Sequence, residues 1–591
     1  MQYRAQSKWV NPENLKSLSY FVQLLEELLF DYTHSTYKPS IMHVPSLCFE
    51  ALMTIDDIEN GCINQAHITH IIDELIESLK KDKIATSLLT LPLNTFIEQL
   101  KSTSRGINDK KTVLELLNLQ LKNNKYENKL KEELISCIYS EYNPDSIREF
   151  TRLLVTHLTL RGVSKEYLTE IMIEHFYEKK IESNDEIKQF LKKIPNDEIE
   201  FIVYFKVDKS FLNIKKSIKH LDIEVLERIP EELKNDIFFN VNNERVIVSV
   251  KDKSFDYYSA RKSAEDMLKL AATLLSIYHH KQEPSWELEN YISYGDGNHK
   301  VISVTINPMH LCRDLKMTAA GKKFDEFADG FSMSSGSFQK FIRCVQLHSM
   351  ALRTNSVENQ ILNLWVAIES LVPDELKKEK DNTIDHIINT ITPFLNIVYM
   401  EGLVRSLSHD LNRWNKSKFT KLIKPFNENN NMAKSLLMAL ASSEKQEFIK
   451  KFKEELNNYP LLEQRFLHIE KLVLNPLNIL DAIKRHDKRL TWQIKRIYRA
   501  RNKIIHTGTT PMAAHRLVEN MHEYLDMVLD EIIKMATKPA KISSVSQGFK
   551  TIDMKYKHYL SEIEKATKKQ QISESEKIEQ TINIVELIFS E

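Results

Sequence analysis

Apolar residues recur every three to four positions along most of this chain, the spacing that gathers them on one face of an α-helix. Leu18 to Tyr32 shows it, and so does Ile68 to Leu79 behind Thr69. Ile147 to Leu160 follows Asn143-Pro144-Asp145. That is a good helix start, because Asn and Asp cap free N–H groups and proline suits the first turn. Residues 1–195 therefore read as an α-helical module for packing or recognition, with nothing catalytic in it. From about residue 199 the texture changes. Phe201 to Val207, Val246 to Val250 and Val301 to Ile306 are short β-branched runs, and a long amphipathic helix, Ser259 to His280, lies between the last two. Strands around a helix predict a small α+β domain which, with the Gly/Ser-rich linker Ala328 to Ser337, spans 196–337. Helical periodicity returns at Phe338, predicting a bundle over 338–540 and then a charged tail over 541–591, opened by Ser543, Ser544 and Ser546. The expected fold class is mainly α, in several domains.

Composition agrees with long helices. The 591 residues include only 11 glycines, where the ~7% of average proteins would give roughly 41. So few turn-formers argue against an all-β chain of hairpins. With 42% hydrophobic residues the chain is not largely disordered. Its 82 basic and 82 acidic side chains cancel, so any nucleic-acid or membrane partner has to be argued locally. The N-terminal stretch has no apolar signal core, and the best apolar run, Leu268 to Tyr278, is too short to span a bilayer. Five scattered cysteines without a C-x-x-C pair fit reduced thiols, not a disulfide framework or zinc site. His279-His280 has no third ligand at recognisable spacing. The expectation is a cytoplasmic protein with no membrane partner, no metal and no cofactor.

Charge becomes informative between 484 and 503, where nine Lys or Arg stand against one Asp, a local net charge of +8. A bare run of this kind is usually a solvated face, but it also suits phosphate binding. On a helical wheel Ile494, Ile497, Tyr498, Ile504 and Ile505 form an apolar face with Arg501 near its middle. Asn502 and His506, one turn apart, lie beside it, and Lys495, Arg499 and Lys503 form a basic stripe beyond His506. An arginine centred on an apolar face needs a partner. Glu369 within the fold and an anionic substrate are the two candidates.

Tyr498-Arg-Ala-Arg-Asn-Lys-Ile-Ile-His506 resembles the R-N-x-x-x-H signature of HEPN domains. The upstream helix Asn359 to Val372, preceded by Leu347-His-Ser-Met-Ala-Leu352, resembles the first-helix region of the Apea-like HEPN branch. The resemblance covers about 338–540. Arg followed five positions later by His also occurs at Arg152/His157 and Arg343/His348, and at one-longer spacing at Arg516/His522. Only Arg501 has the adjacent Asn, the basic surround and the Trp365/Glu369 helix upstream, so the other pairs read as ordinary helix residues.

The resemblance implies a helical bundle that dimerises and cuts RNA without metal. RNA carries its own nucleophile, the 2′-OH, so cleavage needs a proton-shifting group and a cation on the phosphate. His506 can exchange protons near neutral pH, Arg501 can hold the scissile phosphate in its planar fork, and Asn502 can orient His506 or bond a phosphate oxygen. The RNA-binding residues would be Lys495, Arg499 and Lys503, with Tyr498 either stacking a base or packing in the core; Glu369 would support Arg501. Two copies of the helix could face each other in a two-fold homodimer. Members silenced by nucleotidylation resemble R-x-x-x-x-H-x-Y; here Thr507-Gly508-Thr509 follows His506, so such silencing is not expected. The implied function is a metal-independent endoribonuclease effector of bacterial antiviral (abortive-infection) defence, with tRNA the first substrate to try and a phage-derived trigger as a further partner. The alternatives are a non-catalytic HEPN-type module that binds RNA or a protein through the same helix, and a purely structural helical scaffold.

Overall fold

The structure is a computed structural model. It describes residues 4–589 except 34–36, 103–105, 235, 243, 282–283, 296, 304–306, 313, 380, 427–430, 443, 457–458, 474, 538–541 and 569–573. The fold is mainly α with one five-stranded antiparallel sheet, in two compact units.

The smaller unit comprises 5–10 and 154–306. Its sheet runs in the order β2-β3-β1-β4-β5, from β1 (Ile199–Asp208), β2 (Ile223–Val225), β3 (Arg245–Ser254), β4 (Trp286–Tyr294) and β5 (Asn298–Ile302). Alternation along β1 explains its central place. Phe201, Val203, Phe205 and Val207 point to one face and pack with Ala260, Ala264 and Leu268 of the Tyr257–Ser276 helix. Ile202 and Tyr204 point to the other face and pack with Phe238, Phe239 and Tyr291. Asp256 caps that helix by accepting from the Tyr258 and Ser259 amides. Two of the three expected runs match β1 and β3. The third reaches β5 only at Val301 and Ile302, and its 304–306 portion lies outside the described residues. β2 and β4 were not foreseen.

The larger unit joins 11–153 to 307–591 (with 1–4). The boundaries expected at 195 and 337 therefore fall elsewhere, because the first helices pack on the C-terminal bundle and share an ion network with it. Arg465, buried in the Pro460–Val473 helix, is held by Glu27 of the Lys16–Leu29 helix at 2.7 Å and by Asp410 of the Tyr399–Ile423 helix at 2.6 Å. The expected linker is mostly helical: the Met317–Gly330 and Ser335–Arg353 helices leave only 331–334 between them. The expected charged tail is also folded. The Val545–Lys568 helix buries Val545, Phe549, Ile552, Tyr559 and Ile563, and Ile584, Val585 and Ile588 of the Glu574–Ile588 helix join the same large core as Tyr559 and Ile563. Among the described residues one stretch, Thr383–Phe426, is long and apolar enough to cross a membrane, and its apolar window is mostly buried inside the protein, as in a core helix.

Candidate functional site

The basic block lies on one long helix, Pro476–Thr507. Asn475 caps its start by accepting from the Leu477 amide, and Pro476 fills its first position. Gly508, at φ 66°, ends it in the left-handed conformation that glycine adopts without strain, its N–H donating to the Ile504 carbonyl at 3.0 Å. Arg501, Asn502 and His506 therefore occupy its last two turns.

Most of the positive charge is answered by acid. Arg496 is buried and donates to Glu50 at 2.8 and 3.0 Å and to Glu74 at 2.6 Å. Arg499 is buried too; it donates to Glu50 and reaches Nε2 of His70 at 3.4 Å. Lys503 pairs with Asp57 at 3.2 Å, Lys495 with Asp385 at 3.4 Å, and Lys488 with Glu77. Burial works against the Glu50 carboxylate, but Arg496 and Arg499 outweigh it and hold its pKa at about 2. His70, buried beside the same two arginines, is pushed down to about 2 and stays neutral.

This corrects the expected RNA-binding stripe. Arg499 cannot meet a phosphate from inside the protein, and Lys503 is committed to Asp57. Both line a cavity of about 200 Å³ against Phe49 and Met53. That is below the roughly 300 Å³ at which small-molecule sites begin. Tyr498 packs with Trp365 (ring centroids 5.3 Å) and His67 (5.7 Å), the core alternative for that residue. Of the stripe, Lys495 and, to a lesser degree, Lys503 keep partial exposure.

Arg501 differs from its neighbours. It is half-buried, and its Nη1 donates to Asn502 Oδ1 at 3.0 Å. Its Nε is buried without any hydrogen-bond partner, and among the described residues it forms no ion pair. Glu369 is half-buried on the Val357–Leu371 helix and makes no such pair, so the expected support from that residue is absent. Asn502 serves Arg501, and no hydrogen bond joins it to His506. His506 itself is exposed. The helix end thus carries an uncompensated guanidinium, an amide that orients it and an accessible imidazole within six residues. These groups can hold an anionic phosphate and move a proton next to it.

Sequence reasoning missed the carboxylates that neutralise the block. Glu50 and Asp57 on the Val44–Glu59 helix, and Glu74 and Glu77 on the Thr69–Lys81 helix, are spaced as ordinary surface acids. Only their pairing with the cations of the Pro476–Thr507 helix distinguishes them. Comparison with family models, with curated proteins and with solved structures found no match.

Proposed function

We propose that this chain is a metal-independent endoribonuclease whose cleaving groups are Arg501, Asn502 and His506. The observation that carries the reading is the contrast along one helix: Arg496 and Arg499 are neutralised by Glu50 and Glu74, whereas Arg501, five positions before an exposed histidine, is left without a carboxylate. A half-buried arginine without an anion is costly unless an anionic substrate completes it. Arg501 holds the scissile phosphate, His506 takes the 2′-OH proton or protonates the leaving 5′-oxygen, and the product end is a 2′,3′-cyclic phosphate. The exposed Lys484, Arg485 and Arg489, which form no ion pair among the described residues, take the flanking phosphates instead of Arg499 and Lys503. At 1.5 Å per residue Arg489 lies about 18 Å along the helix from Arg501, within reach of one bound strand.

The HEPN resemblance supports a homodimer, a cytoplasmic setting and a role in antiviral growth arrest, and makes tRNA the first substrate to test. Sequencing of RNA ends after induced expression names the substrate. Wild type gives new 2′,3′-cyclic phosphate ends at defined positions, and His506→Ala does not. Identical ends from both proteins would show that the nuclease reading is wrong at this site.

A further inference from the structure

Two of the histidines that spacing alone marks as ordinary helix residues meet in space. His522 and Asp526 are one turn apart on the Ala514–Ala536 helix, and His348 reaches them from the Ser335–Arg353 helix. His348 Nε2 lies 3.4 Å from Asp526 Oδ1, and His522 Nε2 lies 3.3 Å from Asp526 Oδ2. The three ligand atoms all fall within 4.8 Å of one another, and the two imidazole rings are 4.9 Å apart. His522 is buried, whereas Asp526 is partly open to solvent.

We propose that His348, His522 and Asp526 bind one divalent transition-metal ion of the zinc class. Bonds of about 2.0–2.1 Å in a tetrahedral shell separate ligand atoms by about 3.3 Å; each imidazole stands near that distance from a different oxygen of Asp526, so the carboxylate must turn to offer one oxygen to both. Rotation of the rings closes the remaining gap. The donor set, two imidazoles and a carboxylate, is one that zinc takes readily. A second observation points the same way. His348 Nε2 is buried and, although 3.4 Å from Asp526 Oδ1, has no hydrogen-bond partner. A metal ion supplies the missing partner. Asp314, Glu523 and Asp530 surround Asp526 with further negative charge. His310 and Lys38 also face His522, but Lys38 is held by Glu519 at 3.0 Å. The open side at Asp526 lets the ion enter and leaves the fourth position to water.

The ion acts as a clamp between two helices. It ties the Ser335–Arg353 helix to the Ala514–Ala536 helix, which also packs against the short turn Pro308–His310. No step at Arg501 or His506 passes through it, so this site and the nuclease reading stand or fall separately. The test is titration of chelator-stripped full-length protein with Zn²⁺ and with Co²⁺. One ion per chain is expected, and Zn²⁺ raises the thermal midpoint. His348→Gln and Asp526→Asn each lower affinity at least about tenfold, a loss even ligand-orienting residues produce. X-ray absorption of the zinc-loaded wild type depends on no variant: it should show two imidazoles in the first shell. Absence of binding by wild type, unchanged affinity in both folded variants, or a first shell without imidazole would each overturn the site.

Discussion

At the scale of single residues, the deciding question along the Pro476–Thr507 helix is which cation has an anion already. Glu50 answers two of them at once, so its removal leaves Arg496 and Arg499 buried without their shared carboxylate. Glu50→Ala is expected to cost about 3–5 kcal/mol, measured by denaturant unfolding. A change below about 1 kcal/mol would mean the network contributes little. Acid should act through the same residues. His70 titrates near 6.5 in the unfolded chain but at about 2 in the fold, and Glu50 near 4.3 in the unfolded chain but at about 2 in the fold. Both folded values are depressed, so the unfolded state binds more protons and stability is lost as pH falls. The loss begins near pH 6.5 through His70 and steepens below about 4.3 through Glu50. His70→Gln should flatten the thermal-midpoint profile between pH 6.5 and 4.5 while leaving the lower limb.

At the scale of elements, the Val545–Lys568 helix shows how charge can mask structure. Its Lys, Glu and Ser content reads as a solvated tail, yet Val545, Phe549, Ile552, Tyr556, Tyr559 and Ile563 recur at alternating spacings of four and three. That is a buried stripe. Phe549 meets Phe394 at 4.8 Å between ring centroids, and Gly548 lets the helix approach so closely that a Cβ there would lie 2.6 Å from Ile532 Cδ1. Phe549→Ala should therefore cost about 3–5 kcal/mol, and a chain ending at residue 540 should lose its cooperative thermal transition by circular dichroism. An unchanged midpoint in either case would return the segment to a tail. The long helices were legible because their apolar period repeats over several turns. Two strands were not. β2 is three residues long, and in β4 the glutamates Glu287 and Glu289 interrupt the β-branched signal. The Arg501-Asn502-His506 grouping was legible from spacing, while the partners of Arg496 and Arg499 come from helices more than 400 residues away in sequence. No local pattern encodes such pairings.

At the scale of the whole molecule, a net charge of zero is arranged as well as balanced. Five carboxylates, Glu50, Asp57, Glu74, Glu77 and Asp385, offset five of the nine cations between 484 and 503. What remains is an exposed group, Lys484, Arg485 and Arg489, and the half-buried Arg501. Charge reversal of Arg485 and Arg489 should weaken RNA binding and flatten its salt dependence without altering the melting midpoint. Arg499→Glu should unfold the larger unit instead, since it places two acids together in the interior. Equal RNA affinity in the Arg485/Arg489 variant would remove that surface from the binding path. The most direct test of the central claim uses purified protein and tRNA in buffer without added metal and again in EDTA, with folding verified by circular dichroism in both. Wild type should cut to 2′,3′-cyclic phosphate ends, and Arg501→Ala and His506→Ala should each cut about 10²-fold more slowly or less. Cleavage by both variants at the wild-type rate, or no cleavage of any RNA by the folded wild type, would contradict the account.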